Sequence, residues 1–102
     1  MFRLEITESA EADLDSITDY LGFELHNPSA AETLLDEIDH ACENLAAMPE
    51  LYPLCSDRRL ADMGYRKAVI RSYIMVYEVD EVDEVVRILR FFHGLEDYSA
   101  KL

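Results

Sequence analysis

Asn27-Pro28 is the feature that most limits how this chain can fold. Asn caps a helix through its side-chain oxygen, and proline at the first helical position has no donor to lose. The pair therefore opens one helix where another has just closed. Before it, Ala10, Leu14, Ile17, Leu21 and Leu25 recur at helical spacing in a segment running to about His26. After it, Ala31, Leu34, Leu35, Ile38, Cys42 and Leu45 share one face until Met48-Pro49 ends the run. Two amphipathic helices joined so tightly form an antiparallel hairpin, and each has an apolar stripe to bury. Only the β-rich remainder of the chain offers a surface for both.

That remainder is readable. Phe2, Leu4 and Ile6 alternate with Arg3 and Glu5, the pattern of a short strand with one buried face. Thr7 or Ser9 caps the first helix, with Glu8, Glu11 and Asp13 at its positive end. An irregular link over 49–64 carries Pro53, the pair Arg58-Arg59 and a helical turn around Leu60–Met63 closed by Gly64. A connection this long in a small domain is often functional. Three β-rich segments follow at about 65–71, 73–79 and 85–92, the last two joined by the acidic turn Asp80–Glu84. Residues 95–102 add a last helical turn. The order predicts a single α+β domain over residues 1–102: an N-terminal strand, a two-helix antiparallel hairpin, then a three-stranded antiparallel meander forming one sheet with the first strand. An antiparallel sheet would carry the hairpin on one face and leave the other partly open.

Half of the 102 residues are hydrophobic, enough for a core without metals or disulfides. Cys42 falls on an apolar helical face and Cys55 in the link, with no paired-cysteine motif, as expected of free thiols in a reducing cytoplasm. Residues 1–6 alternate rather than forming an apolar leader, and no run approaches the ~20 apolar residues of a membrane span. The expectation is a soluble, cytoplasmic protein without membrane, metal or cofactor; His26 and His40 show no ligand spacing.

The charge is divided unevenly. The formal net charge is −13, and residues 1–50 carry one basic and thirteen acidic side chains. Seven of the nine Lys and Arg residues lie between Arg58 and Arg90. Such acidity opposes long-range approach to nucleic acid, yet the Debye length is only ~8 Å at physiological salt, so a local basic face can act at contact. The expected location of that face is the open side of the sheet.

Several short patterns recur together: Thr7-x-x-Ala10-x-x-Asp13-Leu14, Asn27-Pro28-x-Ala30-Ala31, Leu45-x-x-Met48-Pro49, Gly64-Tyr65-Arg66-Lys67, Tyr73-x-x-x-Tyr77 and His93-Gly94-x-x-Asp97-Tyr98. In this order, over nearly the whole chain, they resemble the RelE/ParE superfamily of bacterial type II toxin–antitoxin toxins. The resemblance implies a growth inhibitor, of the kind also associated with plasmid stabilisation, held by a cognate antitoxin. That antitoxin's disordered tail would fold on the domain, and a heterotetramer is one assembly it allows.

Two activities are found in that superfamily. ParE-like members poison DNA gyrase, and RelE-like members cut mRNA on the ribosome without a metal. Metal-free cleavage needs a base for the 2′-OH, cations for the phosphorane and an acid for the leaving oxygen. On the nuclease reading Arg66, Arg90 and His93 are the catalytic candidates. Arg58, Lys67, Arg71, Tyr77 and Tyr98 are the binding candidates for target or antitoxin. One departure favours the gyrase reading: nucleases of the family commonly have arginine three residues before the tyrosine of the second hairpin strand, where this chain has Ile74. Losing such a cation costs roughly two decades in rate. A third reading is a degenerate, non-toxic interaction partner. Against all site readings, Arg66 and Lys67 also suit solvated strand ends, His93 a structural histidine, and Tyr77 the core.

Overall fold

The computed structural model describes residues 1–94 and 96–102. Thr7 caps the first helix by accepting the Ala10 N–H at 3.1 Å, and Asn27 caps the second by accepting that of Ala30 at 3.2 Å. Each cap of this kind contributes about 1 kcal/mol. The elements are β1 (Arg3–Ile6), α1 (Glu8–Asp19), a π-helical turn (Tyr20–Glu24), α2 (Pro28–Ala47), α3 (Arg58–Asp62), β2 (Arg66–Ile70), β3 (Tyr73–Asp80), β4 (Val85–His93) and a 3₁₀ turn (Tyr98–Lys101). The closing turn expected over 95–102 is thus present from Tyr98, while Leu95 lies outside the described residues. Among the described residues, no helix is long and apolar enough to cross a membrane.

The π-helical turn is the first departure from expectation. Leu25 N–H reaches back five residues to Tyr20 C=O, and Asn27 N–H six to Leu21 C=O. The wider turn rotates the residues after it out of the 3.6-residue phase. Leu25, placed on the buried stripe by its spacing, therefore emerges half exposed, as do Tyr20 and, still more, Phe23.

The strands form one sheet in the order β1-β4-β3-β2. β2, β3 and β4 are the expected antiparallel meander, but β1 pairs with β4 in parallel, Arg3 opposite Val85 and Ile6 opposite Ile88. The sheet is mixed rather than antiparallel. The helical hairpin explains this. α2 brings the chain back to the end of the sheet where β1 began, as the bond from Phe2 N–H to Ala46 C=O records. β2 then starts in the same direction as β1, β3 reverses, and β4 again runs with β1. A bulge follows Val76: Val76 faces Arg90, Tyr77 faces Ile88, and Leu89 is left over.

Both faces of the sheet carry packed residues, but the side away from the helices is covered only in part: Arg3, Glu5, Glu78 and Arg87 occupy its uncovered portion. The helices pack Ala10, Leu34, Ile38, Ala41 and Leu45 onto Ala68, Met75, Tyr77, Val86, Ile88 and Phe91. On the opposite face Ile74, Val76 and Phe92 are buried beneath Cys55, Leu60 of α3 and the partly buried Tyr65, Tyr98 and Leu102. The link and the C-terminal turn thus build a second, smaller core over part of the side expected to be open.

Candidate functional site

The cations are spread around the molecule, and most are already neutralised by acids. Arg90 leaves β4 beyond the end of β1 and meets Asp13 of α1, Nε to Oδ2 at 2.6 Å and Nη2 to Oδ1 at 2.9 Å. Asp13 Oδ2 also accepts the Phe91 N–H at 3.0 Å, so the carboxylate continues the ladder that β1 no longer supplies. The Arg90 guanidinium lies 4.9 Å from the centroid of the Phe92 ring. The Asp13 carboxylate holds its proton affinity above the ordinary arginine value. Arg87 is clasped between Glu78 at 2.9 Å and Glu5 at 3.2 Å, which together raise its proton affinity. Arg71 pairs with Glu37 of α2 at 2.9 Å.

Arg66 and Tyr77 face the helices, not a free surface. Arg66 Nη1 donates to the Tyr52 carbonyl at 2.7 Å, and Tyr77 Oη donates to the Pro49 carbonyl at 3.0 Å. Tyr52 packs edge-on to the Tyr77 ring, 6.4 Å between centroids. Tyr77 is 0% exposed, and burial raises its phenol pKa. The expectation that its ring is offered to a partner is corrected: it pins the link after α2 to the sheet. Lys67 lies 5.8 Å from the centroid of the Tyr98 ring, and Tyr98 stacks on Phe92, so these two help close the second core. Arg58 is 95% exposed in its side chain, with only a 3.9 Å approach to Asp62. Its neighbour Arg59, expected with it in a link pair, clasps the C-terminal turn through the carbonyls of Ser99 at 2.6 Å and Leu102 at 3.2 Å. No periodicity or spacing marks that role.

His93 sits at the end of β4, its ring 5.5 Å edge-on from Tyr73 and its backbone N–H on Glu96. The three catalytic candidates do not converge. Arg66 is four residues along β2 from Ile70, the residue level with Tyr73 and His93. That is about 14 Å of strand, and Arg66 reaches the other way, into the link after α2.

What the structure does bring together lies along α2 and the edge strand β2. A groove of about 500 Å³ runs between them, with Asp36, Glu37 and His40 on the helical wall, Val69 on the strand and Arg71 just past its end. Val69 is 65% exposed. The free side of β2 is partly occupied by the link, through Lys67 N–H on Pro53 C=O and a bridge between Leu54 and Arg66, and among the described residues the stretch beyond pairs with no further strand. Arg71 also lines a neighbouring cleft of about 360 Å³, where Tyr20 of the π-helical turn and Leu25 just after it share the lining with Tyr73 and His93. Arg71 has φ +55 at the β2–β3 turn, and its ion pair with Glu37 stands between the two hollows. Apolar floor, strand edge and an acidic wall make a surface suited to a polypeptide. Among the described residues, no group of three or more His, Cys, Asp or Glu is arranged to hold a metal ion.

A strand, a helical hairpin and a three-stranded meander in one sheet define the small α+β toxin fold shared by RelE and ParE proteins. Among solved structures it is similar to a chain of the chromosomal ParDE toxin–antitoxin system from P. aeruginosa, with TM-score 0.71 and 22% identity over 91% of this chain and 96% of that one. It is also similar to chains of two RelBE complexes. The RelBE2 complex of Mycobacterium tuberculosis gives TM-score 0.62 and 19% identity over 90% and 96% of the two chains. The E. coli RelBE complex gives 0.62 and 16% over 94% and 100%. A sequence comparison with curated proteins finds no significant match. Residues 4–98 match the model of the ParE toxin of the type II toxin–antitoxin system parDE, and the chain belongs to that family.

Proposed function

We propose that this chain arrests growth by binding DNA gyrase, and that a cognate antitoxin neutralises it with a tail folded along the α2–β2 groove. The state of the cations carries the target reading. A metal-free ribonuclease has to keep cations and a proton-transfer group aimed at one phosphate. Here Arg90 is committed to Asp13, and Arg87 to Glu5 and Glu78. Ile74, where nucleases of the superfamily commonly carry arginine, is buried in the second core. Inhibition by contact needs none of that chemistry, and membership of the ParE family supports the same reading.

The antitoxin reading rests on the groove and on similarity to chains solved within toxin–antitoxin complexes. A disordered tail gains most where it covers apolar surface and completes a strand edge at once. Asp36 and Glu37 on the wall favour cations in that tail. Because the chain carries −13, the encounter rate falls as salt rises.

Inducing the chain in a bacterial host, alone and with the product of the adjacent small open reading frame, tests both parts. Arrest alone, rescue with the partner and accumulation of gyrase–DNA cleavage complexes are expected. Codon-phased mRNA cuts would instead establish the ribonuclease alternative. Absence of arrest from well-expressed, folded protein would leave only a non-toxic interaction partner.

A further inference from the structure

The end of the sheet away from Tyr73 and His93 carries a third hollow that the toxin reading does not use. Its volume is about 530 Å³, and it is formed by Phe2, Met48, Pro49, Glu50, Leu51 and Glu81. Phe2 precedes β1, Met48–Leu51 follow α2, and Glu81 belongs to the β3–β4 turn. The hollow therefore lies at the Asp80–Val85 end of the sheet, whereas Tyr73 and His93 mark the other end. The eight residues of β3 separate the two by about 24 Å.

Its floor and margin are apolar and unusually bare. Met48 is 54% exposed and Leu51 41%, and Met1 and Val82, the chain neighbours of Phe2 and Glu81, are almost fully exposed. Methionine adapts its shape to an occupant at little cost. The charged residues lining this floor are acidic, and the adjacent cation, Arg3 next to Phe2, is paired with Glu5 at 3.3 Å. Glu50 and Glu81 line it, Asp83 and Glu84 continue the same turn, and no Lys or Arg is among its lining residues. α2 ends here at Ala47 with no basic residue in its last turn, so its final carbonyls add partial negative charge. Apolar surface edged by Glu50 and Glu81 fits a partner with the reverse pattern.

We infer that this hollow is a docking site for an amphipathic helix of another protein, one that presents two apolar anchors a turn apart, flanked by Lys or Arg. A helix suits the site better than a strand, because no strand of the sheet lines it. A second copy of this chain is opposed by the net charge of −13 on each molecule. An anionic lipid surface is opposed by the same acidic rim. The inference stands independently of the gyrase and antitoxin readings.

The test uses the full chain and a synthetic helix of leucine and lysine, with a leucine–glutamate counterpart as control. Titration is followed by amide chemical shifts and fluorescence anisotropy. Two charge-reversed variants have the same net charge: Glu50→Lys/Glu81→Lys at the hollow, and Glu32→Lys/Glu43→Lys on the exposed side of α2. The expected result is shifts centred on Met48–Leu51 and Glu81, and a loss of about tenfold or more in affinity for the first variant. The second variant should lose less than about threefold, and the leucine–glutamate helix should not bind. Leu51→Asp, a change at an exposed position, should weaken binding as the first variant does while the melting temperature holds. Equal losses in the two charge variants, or shifts centred elsewhere, would overturn the inference by reducing it to attraction towards an acidic protein. Self-association or vesicle binding that the hollow variants abolish would overturn it in favour of a second copy or a lipid surface.

Discussion

Asp13 and Arg90, 77 residues apart, form a two-pronged ion pair at 2.6 and 2.9 Å that joins the first helix to the last strand. The same carboxylate accepts the Phe91 N–H, so it serves as ion-pair partner and as a substitute for the missing end of β1. Both side chains are less than a third exposed. In that setting, charge-assisted bonds are stronger than those of a solvated surface pair.

Replacing Asp13 by Ala strands Arg90 and leaves the Phe91 N–H without its acceptor. The expected loss is about 2–3 kcal/mol, seen as a fall in Tm of roughly 10 °C or more for a domain of this size. Adding Arg90→Ala to Asp13→Ala should cost little more, because the pair is already broken. Chemical denaturation of the four proteins measures the coupling. Additive losses would show the two residues to be independent.

Tyr77→Phe removes the hydroxyl that donates to the Pro49 carbonyl while keeping the ring that fills the core. The expected cost is about 1 kcal/mol, with growth arrest unchanged once expression is matched. Loss of arrest from folded Tyr77→Phe protein would mean that the hydroxyl acts at the target after all.

The thiols offer a check on burial. Desolvation raises the Cys42 thiol to about 11, with Asp39 adding to the effect, and burial also raises Cys55. At pH 8 both are then protonated and covered, so a thiol reagent should label neither in the native protein and both after denaturation. Fast native labelling of Cys55 would show that the C-terminal turn does not stay closed over it.

Acid weakens part of the ion-pair framework. Glu5 is held below its ordinary value by Arg3 and Arg87, and Glu96 by Lys101 and the His93 N–H. A carboxyl whose folded pKa is depressed leaves the native state with fewer bound protons than the unfolded chain. Its contribution is therefore complete above about pH 4.5 and fades as pH falls through the lower folded value. Glu5→Gln should flatten the acid limb of a stability–pH profile relative to wild type, leaving its neutral region nearly parallel. An unchanged acid limb would place the lost stability elsewhere.

How much of this was legible in the sequence follows from range. Caps, stripes and strands are local, so Thr7, Asn27-Pro28 and the alternation in β1 to β4 declared themselves, as did the acidic turn that Asp80 closes through the Val82 and Asp83 N–H groups. The π-helical turn did not, because Leu21 and Leu25 fit a regular helix equally well until the backbone widens. The parallel placement of β1 depends on where α2 returns the chain. The working face was misread for a related reason. Arg71, Arg87 and Arg90 cluster in sequence, but acids that hold them lie 34, 82 and 77 residues away, on α2, β1 and α1, and only Glu78, the second partner of Arg87, is near in sequence. Arg59 was hidden because its partners are main-chain carbonyls, which no sequence pattern distinguishes.

If these arginines hold the fold together and gyrase is inhibited by contact, Arg66 is dispensable for inhibition. The deciding measurement is an in vitro supercoiling assay with purified gyrase, using wild type and Arg66→Gln at equal folded concentration, with ribosome-bound mRNA assayed in parallel. The account predicts that both proteins block supercoiling to a similar extent and leave the mRNA intact. Unaffected gyrase, together with codon-phased mRNA cleavage that Arg66→Gln abolishes, would contradict it.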